Sequence, residues 1–254
     1  MNTLLKSSLI AAGVIAAAIF VTNAFANGIE ETSKTVHKLT LGGEFFGLDA
    51  TADICSAVAV SPNQLVTAAH CVPLDKDIDI LIRTEKLGDD LKVLSSSTVF
   101  LQAVRIDKRK DTAFLETLDK DYTFPAVAEI CEDYTPKLGD EMMTIGFPSA
   151  DVKMVTKGMF GAVVSLDKYD MGTFWKTSVP VVGGNSGGGL FVPNEDGYCL
   201  AGLATARFPD SFESFFSPLS SLKEITKNLI NSGKPVPRPE VPELKRSGWA
   251  IDLR

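Results

Sequence analysis

Three short segments of the chain carry residue types from which covalent catalysis can be built. The first, Val182-Gly183-Gly184-Asn185-Ser186-Gly187-Gly188-Gly189-Leu190, sets one serine among five glycines. A serine hydroxyl is a poor nucleophile unless a neighbouring base takes its proton during attack. Glycine lets the backbone turn sharply and approach a ligand closely. Such a loop leaves the N–H groups of Gly184 and Ser186 free to converge on one point, where they can bind a developing oxyanion. A phosphate cradle is the competing use of such a loop, but it needs a lysine and a following helix. Neither is present here.

The second segment, Val66-Thr67-Ala68-Ala69-His70-Cys71, brings a base to the end of an apolar run. Of the two histidines, His37 and His70, only His70 lies well inside the expected folded region. The third segment runs from Arg105 to Glu116 and supplies the acid. A carboxylate that orients imidazole and stabilises imidazolium must be shielded from water. Asp111 opens the apolar run Thr112 to Leu115, which places it at the buried end of a strand. Asp107 sits among Lys108, Arg109 and Lys110 and reads as solvated.

The elements around these segments read as short strands broken by turn residues. Ala57 to Val60 and Gln64 to Thr67 flank the turn Ser61-Pro62-Asn63. Asp79 to Arg83 alternates polar and apolar residues, as a half-buried strand should. Ser97 to Ile106, Glu141 to Gly146, Gly161 to Leu166, Phe174 to Val179, Gly188 to Val192 and Cys199 to Ala204 read the same way. Many short strands at turn-punctuated intervals imply an all-β protein, an antiparallel sandwich or barrel. One helix is expected over Ser220 to Asn231, where Leu222, Ile225, Leu229 and Ile230 recur at helical spacing. Ser220 or Ser221 would cap its start and Gly233 its end. The expected organisation is a leader over 1–26, a polar, mobile lead-in over 27–38, one domain over 39–233, and a Pro-rich extended tail over 234–254.

The leader has Lys6, an apolar run from Leu9 to Val21 and the small-residue pattern Ala24-Phe25-Ala26. These are the parts of a secretory signal, with the cut expected after Ala26. The run is shorter than the roughly 20 residues that span a bilayer, so membrane contact is expected only in transit. The product is then secreted or periplasmic. With 45% hydrophobic and 22% charged residues the chain is globular rather than disordered. Its net charge of -7 argues against a nucleic-acid partner. In an oxidising compartment, the four cysteines imply two bridges, and spacing alone leaves three pairings open. No metal is expected: there is no C-x-x-C or H-x-x-H spacing. Asp75, Asp77 and Asp79 resemble the start of a calcium loop, but Ile80 and Lys86 stand where that loop needs Gly and Glu.

The three segments together resemble the trypsin/chymotrypsin-fold serine peptidases. Thr67-Ala68-Ala69-His70-Cys71 matches that family's histidine motif, Asp111-Thr112-Ala113-Phe114-Leu115 its aspartate strand, and Gly184-Asn185-Ser186-Gly187-Gly188 its serine loop. The last has the form found in several bacterial secreted and periplasmic members, and the order His, Asp, Ser is the family's. The resemblance covers roughly Leu41 to Asn231. It implies two six-stranded antiparallel β-barrels with a C-terminal helix, and catalysis by His70, Asp111 and Ser186. It implies an oxyanion hole of the Gly184 and Ser186 amides and the bridges Cys55–Cys71 and Cys131–Cys199. No cofactor is implied, and the expected protein is a monomer acting on proteins or peptides.

The resemblance also places a specificity pocket near Pro180, with Ala204 to Arg207 as one wall, so that Pro180, Thr205 and Arg207 are its candidate residues. No Asp lies near Pro180, and the wall lacks the histidine of glutamate-specific relatives. A small or medium apolar side chain is therefore the expected preference, with Arg207 offering the competing option of an acidic one. Asn185 stands where many animal members carry the Asp that pairs with a newly cut N-terminus. A neutral Asn cannot form that pair, so the oxyanion site is expected to form without such a cut. Two other readings compete. One is a catalytically silent homologue that binds a protein partner, which the intact His, Asp and Ser disfavour. The other is a multi-domain chaperone-protease, disfavoured because no peptide-binding domain follows the expected helix.

Overall fold

The computed structural model of the chain describes residues 28–45, 48–73, 78–87, 93–131, 133–207 and 213–219. The leader, the helix expected over Ser220–Asn231 and the tail lie outside these residues, as do Asp75 and Asp77. The first six strands are β1 (Val36–Phe45), β2 (Leu48–Ser61), β3 (Gln64–Thr67), β4 (Asp79–Leu87), β5 (Val93–Asp107) and β6 (Thr112–Thr117). They close a barrel in the order β1-β2-β3-β6-β5-β4. The second six are β7 (Glu141–Gly146), β8 (Met154–Ser165), β9 (Thr173–Thr177), β10 (Gly189–Asn194), β11 (Gly197–Arg207) and β12 (Ser214–Pro218). They close another in the order β10-β11-β12-β9-β8-β7. Every pairing between these strands is antiparallel. The all-β, two-barrel expectation therefore holds.

Period-two alternation explains how the barrels are filled and why they adhere. Successive side chains of a strand point to opposite faces. In β2, Ala57 and Ala59 enter the first barrel while Val58 and Val60 face the second. Leu65 and Val66 of β3 divide likewise, as do Leu115 and Phe114 of β6. From the other side, Leu190 and Val192 fill the second barrel while Phe191 joins the seam, together with Met143, Ile145, Leu200 and Leu203. Small alanines inside and larger valines outside suit a narrow barrel interior pressed against a neighbour.

The lead-in departs from expectation. Its described part is a short helix over 28–34 followed directly by β1, whose first residue, Val36, is buried. The polar composition misleads because the buried threonines satisfy their own hydroxyls locally. Thr32 Oγ1 donates to the Gly28 carbonyl and Thr35 Oγ1 to the Thr32 carbonyl, each at 2.7 Å. The Ala59 N–H donates to the Thr35 carbonyl at 2.8 Å and Lys153 Nζ to the Ser33 carbonyl at 2.6 Å, tying the segment to both barrels. Strands β1 and β12 complete the two barrels but lack the clear alternation that marks the others.

Two outcomes test this packing. Phe191 is fully buried in the seam, so Phe191→Ala should cost about 3–5 kcal/mol in denaturant unfolding. His37 of β1 lies against Phe124, with its Nε2 enclosed and unpartnered. Burial, aided by the nearby Lys153 charge, lowers its pKa to about 4. The folded state therefore disfavours the protonated ring that the unfolded chain acquires below its ordinary value. Stability should be complete above pH 6.5 and fall by up to about 3 kcal/mol as the pH drops from 6.5 to 4. His37→Phe should flatten that pH dependence, measured by unfolding across the same interval.

Candidate active site

The site lies at strand ends that meet across the seam. β3 ends at Thr67 and the chain makes a single 3₁₀ turn over Ala69–Cys71, which carries His70. The Cys55–Cys71 disulfide ties this turn to β2. Asp111 precedes β6 with a left-handed φ of 47°, uncommon for a residue with a side chain. Its carboxylate holds His70 twice. The His70 N–H donates to Oδ1 at 3.0 Å, and Nδ1 lies 2.8 Å from Oδ2. The Asp111 side chain is 7% exposed against 36% for His70. The carboxylate is thus shielded while the ring stays reachable, the arrangement in which Nδ1 donates and Nε2 is left as a base.

The turn that presents Asp111 is braced from both sides. The carboxylate of Asp107 caps it by accepting the Lys110 N–H at 3.1 Å, so Asp107 shapes the loop rather than meeting the imidazole. Arg109 reaches the second barrel. Its carbonyl accepts the Gly172 N–H at 2.7 Å, and its guanidinium lies 3.2 Å from Asp167 and 3.7 Å from Asp170. The exposed ion pairs contribute little, so the backbone bond is the stronger tie. The hydroxyls of Thr112 in β6 and Ser217 in β12 lie 3.2 Å apart, joining the barrels beside it.

The serine loop is wedged between the barrels. Gly184 and Gly187 have φ values of 89° and 77°. A Cβ on Gly187 would land on Thr67 Oγ1 and the Ser56 carbonyl, and one on Gly184 on the Phe147 carbonyl and the Ala150 nitrogen. Close approach and backbone handedness both require glycine there. The Gly187 N–H donates to the Ala204 carbonyl at 2.7 Å, and the Gly188 N–H to Asn185 O at 2.8 Å. The Ser186 carbonyl accepts the Ser56 N–H at 2.8 Å and lies 3.7 Å from Cys71 Sγ. The backbone of Ser186 thus sits against the residue that follows His70. Among the described residues, the Gly184 and Ser186 N–H groups have no acceptor within the chain. Asn185 is buried.

The candidate pocket residues are more scattered. Pro180 is exposed, and its carbonyl accepts the Thr156 hydroxyl at 2.8 Å. Thr205 is buried, with its hydroxyl donating to Leu203 O at 3.4 Å, and Arg207 is exposed at the end of β11. Val179 and Val181, either side of Pro180, pack with Ala204 in the second-barrel core, so the segment before the serine loop and the end of β11 form one wall. The second disulfide, Cys131–Cys199, holds the link between barrels to β11, where the Cys131 N–H also donates to Leu200 O at 2.9 Å. Among the described residues, the one cluster of potential metal ligands is Cys55, His70 and Cys71. Its two sulfurs are bonded to each other. Sequence reading passed over Ser56, whose only signal is a hydroxyl within an otherwise apolar stretch of β2, next to Cys55.

No curated protein matches the chain. Residues 55–201 match the family model of the trypsin-like peptidase domain. The match spans more than half the chain, beginning at the disulfide that braces His70 and ending in β11 beyond the serine loop. A protease-type function, with proteins or peptides as substrates, follows from it. The chain belongs to the trypsin-like peptidase domain family.

Proposed function

We infer that this protein is a secreted serine endopeptidase using Ser186, His70 and Asp111. Ser186 attacks the scissile carbonyl while His70 takes its proton through Nε2. The same proton passes to the leaving amine, an acyl-enzyme remains, and water resolves it by the reverse sequence. Asp111 holds His70 in the tautomer that leaves Nε2 basic. The Gly184 and Ser186 N–H groups stabilise the oxyanion. The observation that carries this reading is the double hydrogen bond from His70 to a single shielded carboxylate. It fixes both the backbone and the ring of the base.

Action outside the cytoplasm, after loss of residues 1–26, agrees with two disulfides in a chain with no free cysteine among the described residues. The exported protein, its N-terminus sequenced to begin at Asn27, should hydrolyse casein and react with a fluorophosphonate. Ser186→Ala should abolish both. Asp111→Asn should lower kcat about 10³- to 10⁴-fold while the protein remains folded. A fluorophosphonate adduct that survives Ser186→Ala, or full activity in Asp111→Asn, would remove the basis of the reading. Retained partner binding with no hydrolysis would instead favour a silent homologue.

For the residue preceding the cut, a small or medium apolar side chain is the proposed preference. No acid stands beside Pro180 to meet Lys or Arg, and Thr205 offers a modest, buried wall. Cleavage of a peptide library should be richest after such residues. A dominant signal after Glu or Asp would instead assign the pocket to Arg207.

A further inference from the structure

We propose that Ser56 is the positioning residue that keeps the oxyanion loop open, through its hydroxyl and its amide together. This rests on the reading of the Gly184 and Ser186 amides given above. Ser56 lies in β2 of the first barrel and is wholly buried. Its Oγ donates to the Gly184 carbonyl at 2.8 Å, and its N–H donates to the Ser186 carbonyl at 2.8 Å. The two residues whose carbonyls it holds are the two whose N–H groups would bind the oxyanion. The hydroxyl also accepts the Phe147 N–H at 2.9 Å, which fixes the direction of its own proton. Its carbonyl accepts Thr67 Oγ1 at 2.7 Å, so the residue cannot turn away without breaking the contact to β3.

The geometry of the trans peptide turns these contacts into control of the hole. In each peptide unit the C=O and the N–H point in opposite directions. The Gly183 carbonyl accepts the Ser149 N–H at 2.6 Å, so the Gly184 N–H of that unit points the other way. The Asn185 carbonyl accepts the Gly188 N–H at 2.8 Å, so the Ser186 N–H points away from it. Between these two units lies the Gly184–Asn185 peptide, with its carbonyl on Ser56 Oγ and its N–H on Val182 O at 3.1 Å. Rotation of this middle unit would swing both neighbours. Gly184, at a φ of 89° and without a Cβ, sets little intrinsic torsional limit on such rotation, so the loop's orientation depends on its hydrogen bonds. The Ser56 hydroxyl is the side-chain bond that opposes it. Asn185 carries no charge with which to anchor the loop by an ion pair, so a neutral hydroxyl from the opposite barrel performs that task.

The test compares the exported wild type with Ser56→Ala, and with Ser56→Thr, which restores a hydroxyl. Kinetics on a peptide substrate should show kcat lowered about 10- to 100-fold in Ser56→Ala, below the roughly 10²- to 10³-fold cost of deleting an oxyanion donor outright. KM should stay within about twofold, because the substrate-binding surfaces are untouched. Affinity for a peptide aldehyde, whose adduct places an oxyanion in the hole, should fall in step with kcat/KM. Ser56→Thr should recover most of the loss. A folded Ser56→Ala variant with kcat within threefold of wild type overturns the proposal, as does a loss carried by KM alone. Crystal structures of wild type and Ser56→Ala keep the question open to refutation whatever the activity. An unchanged 183–186 backbone in the variant overturns the positioning role. Absence of hydrolysis and of fluorophosphonate labelling in the wild type would count against the protease reading alone. Should Ser56→Ala not fold, the same comparisons are made on Ser56→Thr and Ser56→Cys, where wild-type kinetics in the weakly donating Cys variant overturn the proposal.

Discussion

Closed barrels leave no strand edge to pair, so what joins the two halves of this protein is side-chain burial between sheet faces. β2, β3, β6, β7, β10 and β11 each place some residues inside their own barrel and some in the seam. A strand covered on both faces cannot slip by one residue without exchanging its barrel-facing and seam-facing apolar sets. The seam therefore sets register as well as contact. It also fixes where the ends of β3, β6 and β10 emerge. Those ends carry the His70 turn, Asp111 and the serine loop.

Polar groups brought to such a seam must be paired or pay a desolvation cost of about 1–3 kcal/mol each. The chain meets this by having the two barrels satisfy one another. The Ser186 carbonyl is satisfied by Ser56, the Arg109 carbonyl by Gly172, and the Thr112 hydroxyl by Ser217. Asp111 is instead paired within its own barrel: a shielded carboxylate whose two oxygens each have a nitrogen partner from the same histidine. A non-glycine residue in left-handed backbone costs of order 1 kcal/mol. Here that conformation lets Asp111 face back toward His70 while Thr112 begins β6. Strain and burial are both spent on holding one imidazole in one orientation.

The glycines of the serine loop belong to the same constraint seen from the second barrel. At Gly184, Gly187 and Gly188 the neighbouring backbone is too close for any side chain. The loop is therefore closely packed and held by hydrogen bonds from the first barrel, despite a composition that on its own suggests flexibility. Such packing suits the proposed oxyanion site, which would work by having its donors in place before charge develops.

Much of this architecture could be read from local pattern. Alternation identified the strands around His70, Asp111 and Ser186, since a strand with one or two apolar faces writes that fact into successive residues. The apolar run after Asp111, set against the charges beside Asp107, separated a shielded carboxylate from a turn-forming one. Motif resemblance supplied the pairing of the cysteines, which spacing left open. Other features depended on partners remote in sequence. The helix over 28–34, within the lead-in over 27–38, was not legible because hydroxyls satisfied within a helical turn look, in composition, like solvated ones. The lone hydroxyl of Ser56 in an apolar stretch did not reveal its partner, because that contact exists only once Gly184, 128 residues away, is packed against it. The sequence by itself determined which faces are apolar and where the backbone can turn tightly. Only the tertiary structure decided which carbonyls meet which donors, because hydrogen bonds across a seam are specified by the joint packing of both barrels and by neither one alone.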